Sequence, residues 1–287
     1  WRLLPGASTW EVQAPLPEAR GHLAAAVLGG ALYALGGNHG HDPTPIDVPT
    51  VHRFDPASAQ WSAVQSLAEA RSHTEPGTIR WRDRVLLAGG RNIAGAEPNT
   101  GALISWQPIA GRTRYELSLP MALLAPTAVV LGDTLVVGGG APLGNNPTNT
   151  LVWRTPWVGA WLRDPALPRP LGEGSAVALG DQRFVVGDDE MQTFGFDLRT
   201  GRWDDLHRWA ARPVPGHHHG AESLRGELVL IGGLGSDRIG GLVQIFNPER
   251  NEWRLGPTLP VAAGSIASGV IGGRLFVAGG IVGNRTV

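Results

Sequence analysis

A Gly-Gly pair at the end of a short apolar run recurs along this chain at intervals of about 50 residues. Its first copy, Arg20–Gly37, consists of an apolar run, a Gly29-Gly30 turn, a second apolar run and the closing pair. Runs this short, joined by two glycines, are typical of a β-hairpin. Counting one copy in which Asp188 stands in the place of the second glycine, the chain has six such units. A repeat of this length indicates an architecture of stacked, equivalent units.

A second signature follows the hairpin: an aromatic residue, then Asp or Asn, a turn, and a Trp seven residues after the aromatic. It occurs at His52–Trp61, Gly195–Trp203 and Ile245–Trp253. Asp-Pro and Asn-Pro initiate turns, so the signature predicts two further strands, with the Trp packed between neighbouring sheets. Trp161 and, more loosely, Tyr115 continue the series. Four strands in each of six units predict an all-β, six-bladed propeller that forms a single domain, 1–287.

The two ends of the chain read as the two halves of one blade. Trp1–Trp10 resembles the outer half of a unit, and Val261–Val287 resembles an inner half that lacks its outer strands. We therefore expect the last blade to be closed by the N-terminal strands, because this closure removes the free sheet edges of an open ring.

The order of hairpin, Gly-Gly, aromatic-Asp-Pro and Trp resembles the Kelch repeat, and the resemblance covers essentially the whole chain. Galactose-oxidase-like Kelch enzymes use a Tyr-Cys cofactor, which the absence of cysteine excludes. The E-x-x-x-D-x-x-x-H iron motif of nitrile-specifier proteins is also missing. Bacterial sialic-acid epimerases are compact six-bladed Kelch proteins that use Arg, Glu and His on a sugar acid, and this chain is similar to them in those residue types.

The net charge and the hydropathy of the chain limit which classes of partner it is expected to bind. The net charge is −1, and no basic stripe with interleaved aromatic residues occurs, so we expect no nucleic-acid partner. No run of 18 apolar residues exists, so we expect no membrane span and a soluble protein, cytoplasmic or secreted.

Polar residues recur where each innermost strand is expected to start. Arg20 and His22 occupy this place in the first unit, Arg71 and His73 in the second, and His218 in the fifth. Glu75 follows His73 by two residues, Glu222 follows His218 by four, and Glu173 stands at the His place of the fourth unit. If strand alternation holds, all of these side chains share the face that lines the central channel. Charged groups rarely point into a core, so the pattern predicts a polar channel mouth.

Two interpretations of the arginines remain open. In Kelch domains of ubiquitin-ligase adaptors, arginines at this place and in the loop after Gly-Gly bind acidic peptides. Arg91 matches the second location, and Asn38 and Arg285 lie near equivalent places. Alternatively, Arg20 and Arg71 hydrogen-bond to the next blade and are structural.

The histidines also leave two interpretations. Three imidazoles around one axis, His22, His73 and His218, are able to hold a divalent metal, with Glu173 or Glu222 as a fourth ligand or base. Alternatively they are polar channel lining. The run His217–His219 does not by itself make a metal site, because adjacent strand residues point to opposite faces.

Together these features predict a propeller whose mouth binds an anionic small molecule or an acidic peptide. The leading hypothesis is a sugar-acid epimerase that requires no cofactor. In it, Arg20, Arg71 and Arg91 hold a carboxylate, and Glu75, Glu222 or His218 moves protons. The alternatives are a non-catalytic protein-interaction propeller and a metal-dependent enzyme that uses the histidine cluster.

Overall fold

The computed structural model describes residues 1–40, 44–93, 99–108, 112–142, 152–155, 160–187, 191–235 and 240–287. Strands and turns make up these residues. Among them there is no helix, and so none that is long and apolar enough to cross a membrane.

Six antiparallel sheets, or blades, stand around a central channel, and their innermost strands contact one another in a closed ring. Blades are numbered from the first complete one. The innermost strands of blades 1 to 6 are Ala24–Leu28, Thr78–Trp81, Thr127–Leu131, Ser175–Leu179, Gly220–Leu224 and Ala267–Ile271. The second strands are Ala31–Leu35, Arg84–Ala88, Thr134–Gly138, Gln182–Val186, Glu227–Ile231 and Arg274–Ala278. The six-bladed, all-β prediction is confirmed.

The outer half of each blade follows the same order. The third strands of blades 1 to 5 are Val51–Asp55, Leu103–Gln107, Val152–Thr155, Phe194–Asp197 and Val243–Asn247. The outermost strands are Gln60–Val64, Arg112–Tyr115, Leu162–Asp164, Arg202–Trp203 and Glu252–Leu255. Two short hairpins lie outside the blade sheets, each after a Gly-Gly pair: Asn38–His39 with Ile46–Asp47, and Ile281–Val282 with Arg285–Thr286.

The N-terminus completes blade 6, as expected. Its third strand is Arg2–Leu3, which pairs antiparallel with Phe276 and Leu275. The Trp1 nitrogen donates to the Val277 carbonyl at 2.7 Å, and Glu11 forms a single bridge to Arg2 in the place of a fourth strand. The ring therefore closes by joining the two ends of the chain in one sheet, which leaves no open edge between blade 6 and the N-terminal strand.

The Gly-Gly pairs are the joints between successive blades. The second glycine donates its N–H to a carbonyl of the next blade, as Gly37 does to Arg71 at 2.8 Å and Gly280 does to Arg20 at 2.7 Å. A Cβ on Gly36 would lie 2.2 Å from the Arg71 carbonyl oxygen, and Gly36 has a positive φ of 59°. No side chain fits there, so the joint explains why the pair recurs. Asp188, which stands in the glycine place of blade 4, lies outside the described residues.

A tryptophan from each blade fixes the connection that leads into it. In every case the indole N–H donates to a backbone carbonyl of that connection: Trp10 to Pro257, Trp61 to Ala14, Trp106 to Gln65, Trp161 to Ser118, Trp203 to Pro165 and Trp253 to Ala210. The predicted inter-sheet role of the Trp is thus extended to all six blades. The exception to the sequence prediction is blade 2, where Tyr115 is exposed and the buried Trp106 of the third strand takes this role.

Candidate functional site

In all six blades, one residue shortly before the innermost strand has a left-handed backbone. We call this set the axial ring; its φ angles lie between 45° and 54°, and its members are His22, His73, Ala125, Glu173, His218 and Ser265. Backbone hydrogen bonds link neighbours in the ring, for example from His73 N to His22 O at 3.1 Å and from Ser265 N to His218 O at 3.0 Å. The ring brings side chains from different blades to the axis.

The left-handed backbone changes the predicted orientation of these side chains. Strand alternation does not apply to His22, His73 and His218, because they precede their strands rather than lie within them. In blade 5, the turn at His218 places the adjacent side chains of His217 and His218 beside one carboxylate, that of Glu173. His219 points elsewhere, towards the Arg212 guanidinium at 3.4 Å. His219 therefore does not lie with His217 and His218, in agreement with the expectation that the three side chains do not all point to one place.

Three imidazoles predicted to converge on the axis do so. The rings of His22 and His73 stack with centroids 3.8 Å apart and planes 9° from parallel, and the ring of His218 meets that of His22 edge-on at 4.7 Å. All three are buried, and they offer ligand nitrogens within 4.8 Å of one another. Parallel rings direct their lone pairs along parallel planes, so a shared ion would require one ring to rotate. Metal binding by this trio stays a prediction.

Glu75 lies directly beside the imidazoles. Its Oε1 is 3.1 Å from His22 Nδ1 and 4.0 Å from His218 Nε2. Within the described part of the chain, Glu75 Oε2 and His218 Nε2 are buried without a hydrogen-bond partner. Two of the three predicted catalytic groups, Glu75 and His218, are therefore neighbours at the channel end.

At the solvent side, Glu173 forms a tight group with two imidazoles. Its Oε2 is 3.1 Å from His218 Nδ1 and 3.3 Å from His217 Nδ1, and the two nitrogens are 2.5 Å apart. Burial alone would raise the pKa of Glu173, but the neighbouring imidazoles of His218 and His217 outweigh it and lower the pKa to about 2. Burial lowers the pKa of His218 to about 4, against the opposing field of Glu173. At neutral pH the carboxylate is ionised and the His218 imidazole is neutral.

The central channel encloses about 530 Å³ below this cluster. Glu75 and Glu222 both line it, among the small residues of the innermost strands. Ser268 Oγ donates to Glu222 Oε1 at 2.7 Å. Burial raises the pKa of Glu222 to about 7, and the Ser268 hydrogen bond only partly opposes this. Glu222, the third predicted catalytic residue, thus lines the channel, and its catalytic role stays a prediction.

Two of the three predicted carboxylate-holding arginines, Arg20 and Arg71, are buried at the joints. The Arg20 guanidinium donates to the carbonyls of Gly36 at 2.6 Å and Thr50 at 2.8 Å. Arg71 donates to the Gly89 carbonyl at 2.9 Å and pairs with Glu69. Burial lowers the pKa of Arg20 to about 10, although the charge of Glu18 opposes it. This geometry matches the structural alternative, and a direct role in ligand binding stays a prediction.

Arg212 is a further buried arginine beside a joint, and sequence reasoning missed it. It enters from the connection before blade 5 and donates to the carbonyls of Gly187 at 3.2 Å and Gly216 at 2.7 Å. Its place in the sequence, four residues before Gly216, does not match that of Arg20 and Arg71, and so the repeat pattern carries no signal for it.

Three further predicted ligand-binding residues lie on the mouth face. Asn38 is buried and pairs through its backbone with Gly21. Arg91 forms an ion pair with Asp47 at 3.1 Å, and Arg285 is exposed on the last hairpin. Of the four arginines predicted for the mouth, Arg20, Arg71, Arg91 and Arg285, only Arg285 is exposed.

The same Asp47 joins the Gly-Gly connections of blades 1 and 2. Its second oxygen accepts the Ile93 N–H at 2.7 Å, while its side chain is almost completely buried. The two isoleucines beside this joint are exposed, Ile46 by 64% and Ile93 by 45%. We call Ile46 and Ile93 the rim pair. Sequence reasoning missed it because an isolated isoleucine in a loop carries no motif.

Comparison with known proteins supports the repeat. A family model for the Kelch motif matches residues 19–68 and 215–260. Kelch-like protein 36 of Rattus norvegicus is 24% identical over 271 residues, 90% of this chain and 43% of that protein. Kelch-like protein terF of Aspergillus terreus is 28% identical over 84% of this chain and 56% of its own length. Kelch domain-containing protein 8B of Homo sapiens is 33% identical over 42% of this chain and 38% of its length.

The fold, the Gly-Gly joints and these matches agree: the chain is a six-bladed β-propeller built from Kelch repeats. It spans about half the length, or less, of these curated relatives.

Proposed function

We propose that this chain is a non-catalytic, protein-binding propeller whose partner docks on the mouth face across blades 1 and 2. The observation that carries the proposal is the rim pair, two exposed isoleucines on connections that the buried Asp47 holds together. Its relatives with Kelch-like names are consistent with an interaction module, and the rest of the argument is physical.

An exposed apolar pair binds well when it is held in place beforehand. Asp47 contacts Arg91 and the Ile93 backbone at once, so the two connections lose little conformational entropy when a partner binds. A few well-packed residues at the centre of an interface contribute most of the affinity, and the contacts around them exclude water. Loops on a rigid ring are a common place for such contacts.

The sugar-acid epimerase hypothesis has weaker support. It needs cations at the mouth to hold a carboxylate, whereas the guanidinium groups of Arg20 and Arg71 are engaged by backbone carbonyls. Arg91 is engaged by Asp47. Arg285 is an exposed cation on the same face. It is available to an acidic residue of a protein partner, so the expectation of an acidic peptide is retained.

A peptide selection tests the proposal and needs no named partner. Random-peptide phage are selected on the wild-type propeller, and the enriched peptides are measured on the double variant Ile46→Asp/Ile93→Asp. We expect a loss of affinity of at least about tenfold, which corresponds to about 1.4 kcal/mol. The matched control is Val12→Asp, which places the same charge at a residue that is 80% exposed near the N-terminal strand. Peptides that bind wild type and the double variant equally, or no enriched peptide at all, would contradict the proposal.

A further inference from the structure

Three ligand atoms at the mouth lie close enough together to contact one ion. The Glu173 Oε2, His217 Nδ1 and His218 Nδ1 atoms are separated by 3.1, 3.3 and 2.5 Å. Around a zinc ion with bonds of about 2.0–2.1 Å, tetrahedral neighbours lie about 3.3 Å apart. Two of the three distances match this value closely, and the third needs to open by about 0.8 Å.

The backbone holds the two histidines in this arrangement. His217 exchanges two hydrogen bonds of 2.8 Å with Leu234, which lies directly after the Gly232-Gly233 joint. His218 takes a φ of 54° and its N–H donates to the Glu173 carbonyl at 3.1 Å. The chain therefore fixes the backbone of both histidines and of Glu173 before any ion arrives, which lowers the entropic cost of binding.

The far side of His218 has the environment of a metal-bound histidine. Its Nε2 is buried without a hydrogen-bond partner in the described part of the chain, and Glu75 Oε1 is 4.0 Å away. An imidazole that binds a metal through Nδ1 carries its proton on Nε2 and usually donates it to a carboxylate, which orients the ring. Glu75 also has a buried, unpartnered Oε2, so a small tilt of either side chain would satisfy both groups.

We propose that Glu173, His217 and His218 form a divalent-cation site at the channel mouth, with Glu75 as the carboxylate that orients His218. Two imidazoles and one carboxylate are a ligand set that suits Zn²⁺. Three protein ligands leave a fourth position for water, and the side chains of Glu173 and His217 are 20% and 24% exposed, so solvent reaches the site.

This site differs from the axial trio of His22, His73 and His218. The two share His218, whose Nδ1 lies 3.1 Å from Glu173 Oε2 and whose Nε2 lies 4.0 Å from Glu75 Oε1. The stacked His22 and His73 rings do not direct their lone pairs to one point, and Glu173 and His217 belong to the mouth site alone. Substitution of His217 and of His73 therefore separates the two sites.

Titration with ZnCl₂ tests the proposal on protein purified without a histidine tag and stripped with chelator. Competition against a chromophoric zinc indicator gives the dissociation constant, and Co²⁺ in place of Zn²⁺ reports the coordination geometry by its visible spectrum. We expect one Zn²⁺ per chain, with affinity reduced by at least about a hundredfold in Glu173→Gln and in His217→Ala. Glu75→Gln is expected to weaken binding about tenfold to a hundredfold while the ligands remain.

Two control variants make the result decisive. His39→Ala removes a half-exposed histidine from the first hairpin and is expected to leave zinc affinity unchanged. His73→Ala removes a member of the axial trio that the mouth site does not use, and it is expected to bind zinc as wild type does. Circular dichroism and melting temperature establish that each variant is folded. Stoichiometric binding that survives in Glu173→Gln and His217→Ala, or its loss in His73→Ala alone, or no binding by wild type, would overturn the proposal.

Discussion

The two sides of the channel mouth share one backbone and differ in what their side chains do. On the side of blades 1 and 2, His22 and His73 occupy the axial ring, Arg20 and Arg71 turn inwards to carbonyls, and the rim is apolar. On the side of blades 4 and 5, Leu171 and Gly216 stand in the arginine places. There the mouth presents Glu173 and His217 to solvent.

The comparison shows that the repeat determines the backbone conformation at the mouth, whereas the side chains that line it differ from blade to blade. The ring φ angles differ by less than 10° between the two sides, and Gly232-Gly233 of blade 5 has positive φ angles like those of Gly36-Gly37 in blade 1. Gly216 has no side chain and takes a φ of 147°, so Arg212 reaches its carbonyl from outside the repeat position. A buried guanidinium is thus present on both sides. On the side of blades 4 and 5 it does not come from the segment that forms the axial ring, and that segment carries Glu173, His217 and His218 instead.

The largest expected change in stability tests whether Arg20 and Arg212 stabilise the two sides equally. Arg20→Ala and Arg212→Ala each remove a buried cation and leave two carbonyl oxygens without their donors. We expect each variant to lower the free energy of unfolding by about 4 kcal/mol, measured by urea denaturation. Arg285→Ala is the matched control, because that arginine is exposed, and it is expected to leave stability unchanged. A stable Arg20→Ala protein with lost ligand binding would instead place Arg20 in a ligand site.

The fold could be predicted from the sequence because the backbone requires glycine and tryptophan at fixed places in each unit. The Gly36-Gly37 joint requires a residue without Cβ, and Trp61 needs a carbonyl on the preceding connection, so both leave a fixed trace in every unit. Even here the pattern misleads at one place. Trp106 on the third strand of blade 2 takes the role expected of Tyr115, because the indole reaches the same connection from another strand.

The site was predictable only in part. The spacing of His22, His73 and His218 predicted correctly that they meet at the axis. It did not predict that His217 joins Glu173, because a non-glycine residue rarely adopts the left-handed backbone of His218, and alternation was the natural assumption. The direction of a long side chain such as Arg20 is also absent from a repeat pattern, since it depends on which carbonyls the assembled joint exposes.

The second prediction concerns Glu222, which lies on the blade 5 side within the channel. Its pKa is about 7 in the folded protein against an ordinary 4.5, because burial disfavours the carboxylate. The folded protein therefore retains a proton in this window that the unfolded chain releases, and the resulting stability is complete below pH 4.5 and is lost as pH rises through 7. The whole effect is on the order of 3 kcal/mol.

Glu222→Gln isolates this contribution, because the amide keeps a hydrogen bond to Ser268 but does not titrate. Urea unfolding of wild type and variant at about pH 5 and about pH 8 measures the difference. We expect the variant to gain stability relative to wild type between the two values. Parallel pH dependence in the two proteins would show that Glu222 is ionised at its ordinary pKa.

The smallest expected effect lies at the rim, where the blade 1 and 2 side meets solvent. The double variant Ile46→Asp/Ile93→Asp changes two exposed side chains, so it removes little buried apolar area and is expected to unfold at the wild-type melting temperature. Asp47→Ala provides the contrast, because it leaves Arg91 and the Ile93 N–H without their buried partner. That variant is expected to lower the melting temperature measurably. If the isoleucine variant were destabilised as strongly as Asp47→Ala, the rim pair would be part of the core, and its exposure would no longer argue for a docking surface.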